Sequence, residues 1–224
     1  MATNEKPGGG GKDQPYIAKG HGNKSGQYCK KQASDYASSE HCTAEELTAL
    51  LTSEELYYVE RYSNYEFGIP LNKAIREGRM TRTDEIFKNN VVSAIGKHKL
   101  ENPLTVFRGI SVKRKVYLRN FVLNYILDEP IVGSTICSTS RKFSRAVAGA
   151  HTDDAGSVGI LFEIDLPKGH KALPIESVAS DITEEEILLS SPRYLIDDME
   201  TREAGGYHYV WIKVKLLGDR DNEN

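Results

Sequence analysis

The sequence predicts an α+β fold, because its first half has the patterns of helices and its second half those of strands. Two capping-box pairs, Thr43 with Glu46 and Thr52 with Glu55, each precede a run of apolar residues at helical spacing. From Pro103 onward, short β-branched runs are bounded by Gly, Pro, Asp and Ser. Helices and strands do not alternate strictly and no repeat has a fixed period, which argues against a doubly wound sheet.

Composition places the chain among ordinary globular proteins. Of its 224 residues, 39% are hydrophobic and 27% are charged, and 29 Lys and Arg face 32 Asp and Glu, for a net charge of −3. This balance gives no general attraction to nucleic acid. No apolar run approaches the roughly 20 residues that span a bilayer, and the start lacks the apolar core of a secretion signal, so we expect no membrane span and a protein made in the cytoplasm.

The first segment, residues 1–42, is predicted to be a flexible Gly-rich arm. Its first forty residues hold seven of the 19 glycines and few large aliphatic side chains, so burial cannot offset the entropy of ordering it. Its histidines and cysteines do not have the spacing of a zinc finger, and no metal is expected. We expect the folded domain to span 43–217, followed by a polar tail at 218–224.

Four helices are predicted before the strands begin. They lie near 43–51, 53–63, 70–77 and 83–98. The third starts at Pro70 and ends at Gly78, because proline favours the first turn of a helix and glycine the position after its end. The fourth has Ile86, Val91 and Ile95 on one face, which we expect to be buried.

The second half has five runs with strand character, at 104–110, 133–140, 158–166, 185–190 and 207–216. Helices are predicted between them, near 113–126 and 143–150. Three short polar motifs accompany these strands: 107–109 (Phe-Arg-Gly) closes the first, 138–140 (Ser-Thr-Ser) closes the second, and 184–186 (Glu-Glu-Glu) leads into the fourth. Each motif alone is typical of ordinary surface.

In this order and spacing the motifs resemble those of the mono-ADP-ribosyltransferases of the arginine, Ser-Thr-Ser and glutamate class, which includes bacterial ADP-ribosylating exoenzyme toxins. The resemblance extends to 58–76, 158–177 and 184–196, and covers about 44–216. It implies a helical N-terminal half followed by two packed, mostly antiparallel sheets that form an NAD-binding cleft. NAD would be a substrate, and no metal is implied.

The resemblance assigns the chemistry to Glu186, which directly precedes an Ile-Leu-Leu run as the catalytic glutamate of the family does. Cleaving nicotinamide from ribose creates an oxocarbenium-like centre that a carboxylate stabilises. Residues two apart in a strand share a face, so Glu184 is expected in the same cleft while Glu185 faces away. A glutamate at the Glu184 position accompanies arginine acceptors in the family, and a carboxylate can pair with a guanidinium and remove its proton.

Arg108 is expected to bind the phosphates of NAD, since a guanidinium supplies several donors in a fixed fork. Gly109 would let the backbone approach the nicotinamide amide, and Phe143 would stack on the nicotinamide ring. Ser138 could donate a hydrogen bond to Glu186 and fix its rotamer. Thr139 and Ser140 are expected to hold the strand edge and the nicotinamide end.

One departure from the family concerns the loop at 176–183, which contains no aromatic residue although members often have one there to select the target. The leading hypothesis is transfer to a protein arginine by a bacterial or phage effector or toxin, acting in the cytoplasm or delivered into a target cell. An antitoxin or a delivery partner is compatible with this function.

Two other hypotheses stay open. One is transfer to a nucleic-acid base, because Lys113, Arg114, Lys115 and Arg119 could form a local basic patch. The other is an inactive relative that serves as a binding module, although a domain used only for contacts would not need both the arginine and the glutamates of the motifs.

Overall fold

The structure, a computed structural model, describes residues 40–204 and 207–217. The polar tail at 218–224 and most of the predicted arm lie outside the described residues. Glu40 and Cys42 belong to the segment predicted as an arm, but both are buried. The Glu40 carboxylate accepts a hydrogen bond from the backbone amide of Asn102. The packed chain therefore begins no later than Glu40.

Four helices form the first layer: α1 (Ala44–Leu50), α2 (Ser53–Ser63), α3 (Tyr65–Glu77) and α4 (Arg82–Lys97). The predicted capping boxes at Thr43 and Thr52 are both confirmed, and Thr81 forms a third with Asp84. In each box the threonine side chain and the acidic side chain three residues later satisfy two backbone amides that the helix leaves free.

The start predicted for α3 is wrong. The helix begins at Tyr65, because Asn64 caps it and accepts a hydrogen bond from the Glu66 amide at 2.9 Å. Pro70 lies inside the helix rather than at its first position. The helix continues through Pro70 although a proline removes one backbone hydrogen bond. The next residue, Leu71, is 2% exposed and packs among the helices.

The buried face of α4 also differs from the prediction by one residue. Val91 and Ile95 are buried as expected, but Ile86 is 40% exposed and Phe87 takes its place in the core. Positions 87, 91, 94 and 95 follow the helical spacing more closely. Together with Leu47 from α1 and Val59 from α2, they form the core between the helices and the sheet.

The described residues also form eight strands, with all neighbouring pairs but one antiparallel: β1 (Leu104–Lys113), β2 (Ile131–Val132), β3 (Ile136–Ser140), β4 (Ser157–Leu166), β5 (Ala172–Pro174), β6 (Glu186–Ser190), β7 (Arg193–Ala204) and β8 (Tyr207–Leu217). Their order is β2-β7-β8-β4-β1-β3-β6-β5, and only β4 and β8 run parallel. Strand β7 was missed because its many charged residues hide the strand pattern.

The sheet consists of two groups that meet at one residue pair. Strands β2, β7, β8, β4 and β1 form the first group and β3, β6 and β5 the second, and Phe107 opposite Ser140 is the pair that joins them. Apolar side chains from both groups share one buried cluster, which includes Val106, Cys137, Ile164, Ile187, Leu189 and Ile212. The predicted α+β class, with helices first and mostly antiparallel strands after them, is confirmed, and the strands form one mixed sheet.

The two helices predicted among the strands are also confirmed. The first consists of α5 (Arg114–Tyr117), a π-helical turn (Leu118–Val122) and α6 (Leu123–Leu127), and the second is α7 (Phe143–Ala150). The residues from 116 to 132 expose seven large apolar side chains: Val116, Leu118, Leu123, Tyr125, Ile126, Leu127 and Val132. Within the described part of the chain, no helix is long and apolar enough to cross a membrane.

Candidate functional site

The candidate site lies where β1 and β3 separate. The guanidinium of Arg108 reaches across this gap, and its Nη1 donates to the Ser138 carbonyl oxygen and to the Cys137 Sγ, each at 2.9 Å. Arg108 does not close the strand as predicted, because β1 continues for five residues beyond it. The gap exists because β1 and β3 are paired only at Phe107 and Ser140.

Arg108 also borders a cavity of about 310 Å³ between the sheet and the helix that follows β1. The amides of Asn120 and Asn124 line it, as do the rings of Phe121 and Tyr194. Asn120 and Phe121 belong to the π-helical turn, a type of turn frequently found at functional sites. The cavity therefore combines a cation, two amides and aromatic walls.

Glu186 is the first residue of β6, opposite Ser140, and only 6% of it is exposed. Burial raises the pKa of its carboxyl group to about 7, although a hydrogen bond from Ser138 favours the charged form. The negative charge of Glu184 raises this pKa further, while Arg108 lowers it. A buried carboxyl that titrates near neutrality beside a cation is typical of a functional site.

Glu184 reaches the site by a different route from the one predicted. It ends a short 3₁₀ helix (Ile182–Glu184), and Glu185 then adopts a left-handed conformation with φ of 48°. The strand begins only at Glu186, so the alternation of strand faces does not apply to Glu184, and that part of the prediction is wrong. The turn nevertheless leaves Glu184 close enough to Glu186 to raise its pKa.

Two side chains from other elements contact the Glu184 carboxylate. The Tyr65 hydroxyl, at the start of α3, donates a hydrogen bond to it. The Arg145 guanidinium, in the first turn of α7, lies 3.6 Å from the same oxygen. Burial and the adjacent carboxylate both raise the pKa of Tyr65, so this hydroxyl stays protonated and donates.

Glu185 is directed away from Glu186, as predicted. Its carboxylate forms ion pairs with Arg141 Nε at 3.3 Å and with Lys142 Nζ at 3.2 Å. The left-handed turn at this residue produces the difference in direction between Glu185 and its neighbours.

The hydroxyls of Thr139 and Ser140 both form hydrogen bonds to the chain on either side of Glu186. The Thr139 hydroxyl donates to the Ile187 carbonyl oxygen at 2.7 Å. The Ser140 hydroxyl donates to the Glu184 carbonyl oxygen and accepts from the Lys142 amide at 2.9 Å. Ser140 therefore ties the last residue of β3 to the turn that positions Glu184.

Gly109 and Phe143 both have packing roles in the structure. A Cβ atom on Gly109 would lie 1.7 Å from the Ala146 carbonyl oxygen, so only glycine allows α7 to pack on β1. The Phe143 ring lies 5.6 Å from that of Phe107 and 5.1 Å from that of Trp211, between ring centroids. These contacts place Phe143 in an aromatic cluster and give no support to the stacking on nicotinamide expected from the sequence.

Sequence reasoning missed two polar residues near Arg108 and Glu186. Tyr62, from α2, is 4% exposed, and both charged groups act on its pKa, which burial raises. Asn72, from α3, donates to the Tyr62 hydroxyl at 2.7 Å, and its buried Oδ1 has no hydrogen-bond partner among the described residues. Both belong to the stretch 58–76 that contributed to the resemblance, which was the available signal.

The loop before Glu184 has no aromatic residue of its own, but Tyr65 lies beside its last residue and is 59% exposed. Ser180 in this loop exchanges two hydrogen bonds with Ser63, at 2.8 and 2.9 Å. On its other side, Arg145 contacts Asp181 at 3.0 Å. The loop is thus fixed to α2 and to α7.

Among the residues that the structure describes, no group of three or more His, Cys, Asp or Glu side chains could hold a metal ion. The functional groups of the site are two carboxylates, one buried and one partly exposed, two guanidinium groups, and the hydroxyls of Ser138, Tyr62 and Tyr65. These groups can bind an anion, stabilise a developing positive charge and accept a proton.

Comparison with known families matches most of the chain to a family model. The family model described as ADP-ribosyltransferase exoenzyme matches residues 19–218. No curated protein matches the chain.

Several solved structures have a similar fold. Plx2a, an ADP-ribosyltransferase toxin from Paenibacillus larvae, has a TM-score of 0.62 and 19% identity, covering 78% of this chain and 90% of that one. The C3 exoenzyme of Clostridium limosum has a TM-score of 0.57 and 17% identity, covering 80% and 99%. C3stau2 from S. aureus, solved with NAD, has a TM-score of 0.57 and 15% identity, covering 81% and 100%.

Proposed function

Because the chain belongs to the ADP-ribosyltransferase exoenzyme family, we propose that it transfers ADP-ribose from NAD to an arginine side chain of a target protein and releases nicotinamide. NAD is the substrate of this family. The observation that carries the proposal is the adjacency of Glu186, which is buried beside Ser138, and Glu184, which already contacts a guanidinium. We further propose that residues 40–217 form the catalytic domain and that the protein acts as a bacterial or phage toxin or effector.

On the donor side, Glu186 stabilises the positive charge that develops on the ribose as nicotinamide leaves. The group must be ionised to do this, and the Ser138 hydroxyl and the Arg108 guanidinium both favour its charged form. Burial makes the charge more effective, because little water competes with it. Ser138 also fixes the orientation of the carboxylate through its hydrogen bond.

Arg108 binds the pyrophosphate in this proposal. Both hydrogen bonds that it makes to Ser138 and Cys137 use Nη1, which leaves further N–H donors of the guanidinium for phosphate oxygens. The adjoining cavity of about 310 Å³ then receives the adenosine, where the amides of Asn120 and Asn124 supply donors and acceptors. Cavities that bind small molecules begin at about this size.

On the acceptor side, Glu184 pairs with the incoming guanidinium and accepts its proton. The contact between Glu184 and Arg145 supports this role, because it demonstrates that a guanidinium fits at this carboxylate. Tyr65, exposed beside Glu184, takes the place of the missing aromatic residue of the loop and contacts the target.

The proposal is tested by Glu184→Gln, with nicotinamide release and protein-bound ADP-ribose measured in the same reaction with a cell lysate. We expect nicotinamide release to continue while protein-bound ADP-ribose falls by roughly tenfold or more, because water replaces the arginine that is no longer deprotonated. Glu185→Gln is the matched control, since its carboxylate lies in ion pairs outside the site. Loss of both products together in Glu184→Gln would assign Glu184 to the donor and overturn the arginine acceptor.

Treating the labelled lysate separately with protease and with nuclease tests the alternative acceptor. Label that survives protease but not nuclease would replace the protein target by nucleic acid. In the structure, Lys113 pairs with Asp154, and the exposed apolar side chains of Val116 and Leu118 separate Arg114 and Lys115 from Arg119. This pattern supports a protein target.

A further inference from the structure

Arg145 occupies an unusual position beside the site. Its guanidinium lies 3.6 Å from the Glu184 carboxylate through Nη1 and 3.0 Å from the Asp181 carboxylate through Nη2, and it also donates to the Thr183 hydroxyl. The side chain is 37% exposed. A guanidinium of this chain is therefore already present at the carboxylate to which the proposed function assigns the acceptor.

This position is fixed by the fold. Arg145 lies in the first turn of α7, and the backbone of α7 rests directly on Gly109 of β1. Lys142, at the start of the helix, donates to the Thr183 carbonyl oxygen at 2.9 Å. The helix therefore holds Arg145 at a constant distance from the strand that contains Arg108.

We propose that Arg145 is a site of self-modification, at which the protein transfers ADP-ribose from NAD to its own side chain. This inference rests on the proposed function, because it uses the same donor chemistry and the same acceptor carboxylate. It goes beyond that function by naming an acceptor within the chain.

The transfer is balanced with NAD as the only co-reactant. One guanidinium nitrogen of Arg145 forms a bond to C1′ of the nicotinamide ribose, and the bond from C1′ to nicotinamide breaks with its electron pair, which remains on neutral nicotinamide. The proton lost by the guanidinium passes to Glu184 and then to water. The positive charge on C1′ during the transfer lies beside Glu186.

Modification would limit the activity of the protein. An Arg145 that bears ADP-ribose cannot keep its present ion pairs with both Asp181 and Glu184, because the attached sugar occupies the space of one carboxylate. The bulky group then blocks the acceptor side of the site. We therefore expect transfer to a target to decline as Arg145 becomes modified.

Other arginines provide internal controls. Arg79 is more exposed than Arg145, at 72%, and also pairs with a glutamate, Glu77, but this pair lies at the end of α3 and belongs to no part of the site. Arg141 is close to the site in sequence but 6% exposed, and it pairs with Glu176 and Glu185. Neither should accept ADP-ribose.

The experiment incubates the full chain with NAD alone and locates ADP-ribose by fragmentation mass spectrometry, while nicotinamide is measured in the same tube. We expect modification at Arg145 and none at Arg79. Arg145→Lys should reduce the self-label by roughly tenfold or more, whereas Arg79→Lys should leave it unchanged. Thermal melts of both variants exclude unfolding as the cause.

Nicotinamide release without ADP-ribose at Arg145 would overturn the self-modification and leave the proposed function intact. ADP-ribose spread over exposed arginines, including Arg79, would overturn it equally. If no nicotinamide is released even with a lysate present, the proposed function itself fails.

A mixing experiment tests whether transfer occurs within one molecule, as the geometry requires. Active protein is combined with a larger, tagged Glu186→Gln chain, whose Arg145 is intact but which should not cleave NAD. We expect ADP-ribose only on the active chain. Equal label on the tagged chain would place the transfer between molecules and overturn the assignment.

Discussion

Two buried carboxylates, one in the helical layer and one in the site, have opposite properties. Glu55 is 5% exposed and Glu186 is 6% exposed. Burial alone would raise the pKa of Glu55, but Lys97 Nζ at 2.6 Å, Ser93 Oγ at 2.7 Å and the Thr52 amide at 2.8 Å all donate to it. These donors lower its pKa to about 2.

Glu186 receives much less compensation. Burial raises its pKa to about 7. The hydrogen bond from the Ser138 hydroxyl and the charge of Arg108 lower this pKa, whereas the charge of Glu184 raises it. The donors around Glu55 therefore compensate for its burial, whereas the groups around Glu186 do not. A buried carboxylate with too few compensating partners interacts strongly with a cation formed during a reaction, but it lowers the stability of the folded protein.

The largest effect is expected from Glu186→Gln, which removes the unsatisfied charge while keeping the shape of the side chain. We expect both nicotinamide release and transfer to fall by roughly a thousandfold or more. Nicotinamide release, measured with NAD at saturation, checks this. Activity above about a tenth of the wild type would mean that another glutamate acts on the ribose.

The same variant should be more stable than the wild type at high pH. Because the folded-state pKa of Glu186 is above its usual value, stability falls as the pH rises from about 4.5 to about 7, and the ionised group costs about 3 kcal/mol above that range. We therefore expect a higher Tm for Glu186→Gln near pH 8 and little difference near pH 4. Equal melting curves at both pH values would contradict the pKa assigned to Glu186.

Glu55→Ala should have the opposite profile. Removing this carboxylate leaves Lys97 and Ser93 without their partner, and we expect a loss of about 3 kcal/mol in the free energy of unfolding, with activity per folded molecule unchanged. Denaturant titration measures the loss, and Glu54→Ala, at the exposed neighbouring position, is the control.

The difference between Glu55→Ala and the wild type should also depend on pH. The lowered pKa of Glu55 means that its contribution is complete above about pH 4.5 and disappears as the pH falls toward 2. A difference that persists unchanged in acid would show that Glu55 stabilises the helices by packing alone.

Arg108→Lys should raise the KM for NAD by about tenfold and change kcat less, because an ammonium cannot make the two-pronged contact of a guanidinium with phosphate. Initial-rate kinetics over a range of NAD concentrations separate the two constants. An unchanged KM would make Arg108 a structural residue that holds β1 to β3 through Ser138.

The smallest effect concerns the pH dependence of NAD cleavage. With kcat/KM requiring an ionised Glu186, the rate should fall below a midpoint near pH 7 in the wild type. Ser138→Ala should move this midpoint upward, because the Ser138 hydrogen bond favours the charged carboxylate. A downward shift would mean that Ser138 binds the protonated form.

The sequence was sufficient where the controlling contacts are local. Capping boxes act over three residues, so the starts of α1 and α2 were predictable, and the motif at 138–140 does close β3. The start of α3 was predicted wrongly, because the general preference of proline for the first turn of a helix pointed to Pro70, whereas the local cap at Asn64 sets the start. Ile86 and Phe87 were confused because adjacent residues differ by only about 100° around a helix.

Contacts across the fold could not be predicted. Arg145 and Asp181 are 36 residues apart in the chain, and no pattern within α7 indicates that pair. Glu184 was predicted near Glu186 for a reason that proved wrong, since the left-handed turn at Glu185 has no distinctive residue. The packing role of Gly109 depends on its contact with Ala146 in α7, which is distant from β1 in the chain.

The close contact of Gly109 with α7 has a thermodynamic consequence. Arg108 precedes this glycine in β1, and Arg145 lies one residue before the Ala146 carbonyl that rests on it. A displacement of the strand when the phosphates bind must therefore move the guanidinium that holds Asp181. We expect donor and acceptor to bind cooperatively, and linkage requires the occupied acceptor side to alter NAD affinity by the same factor.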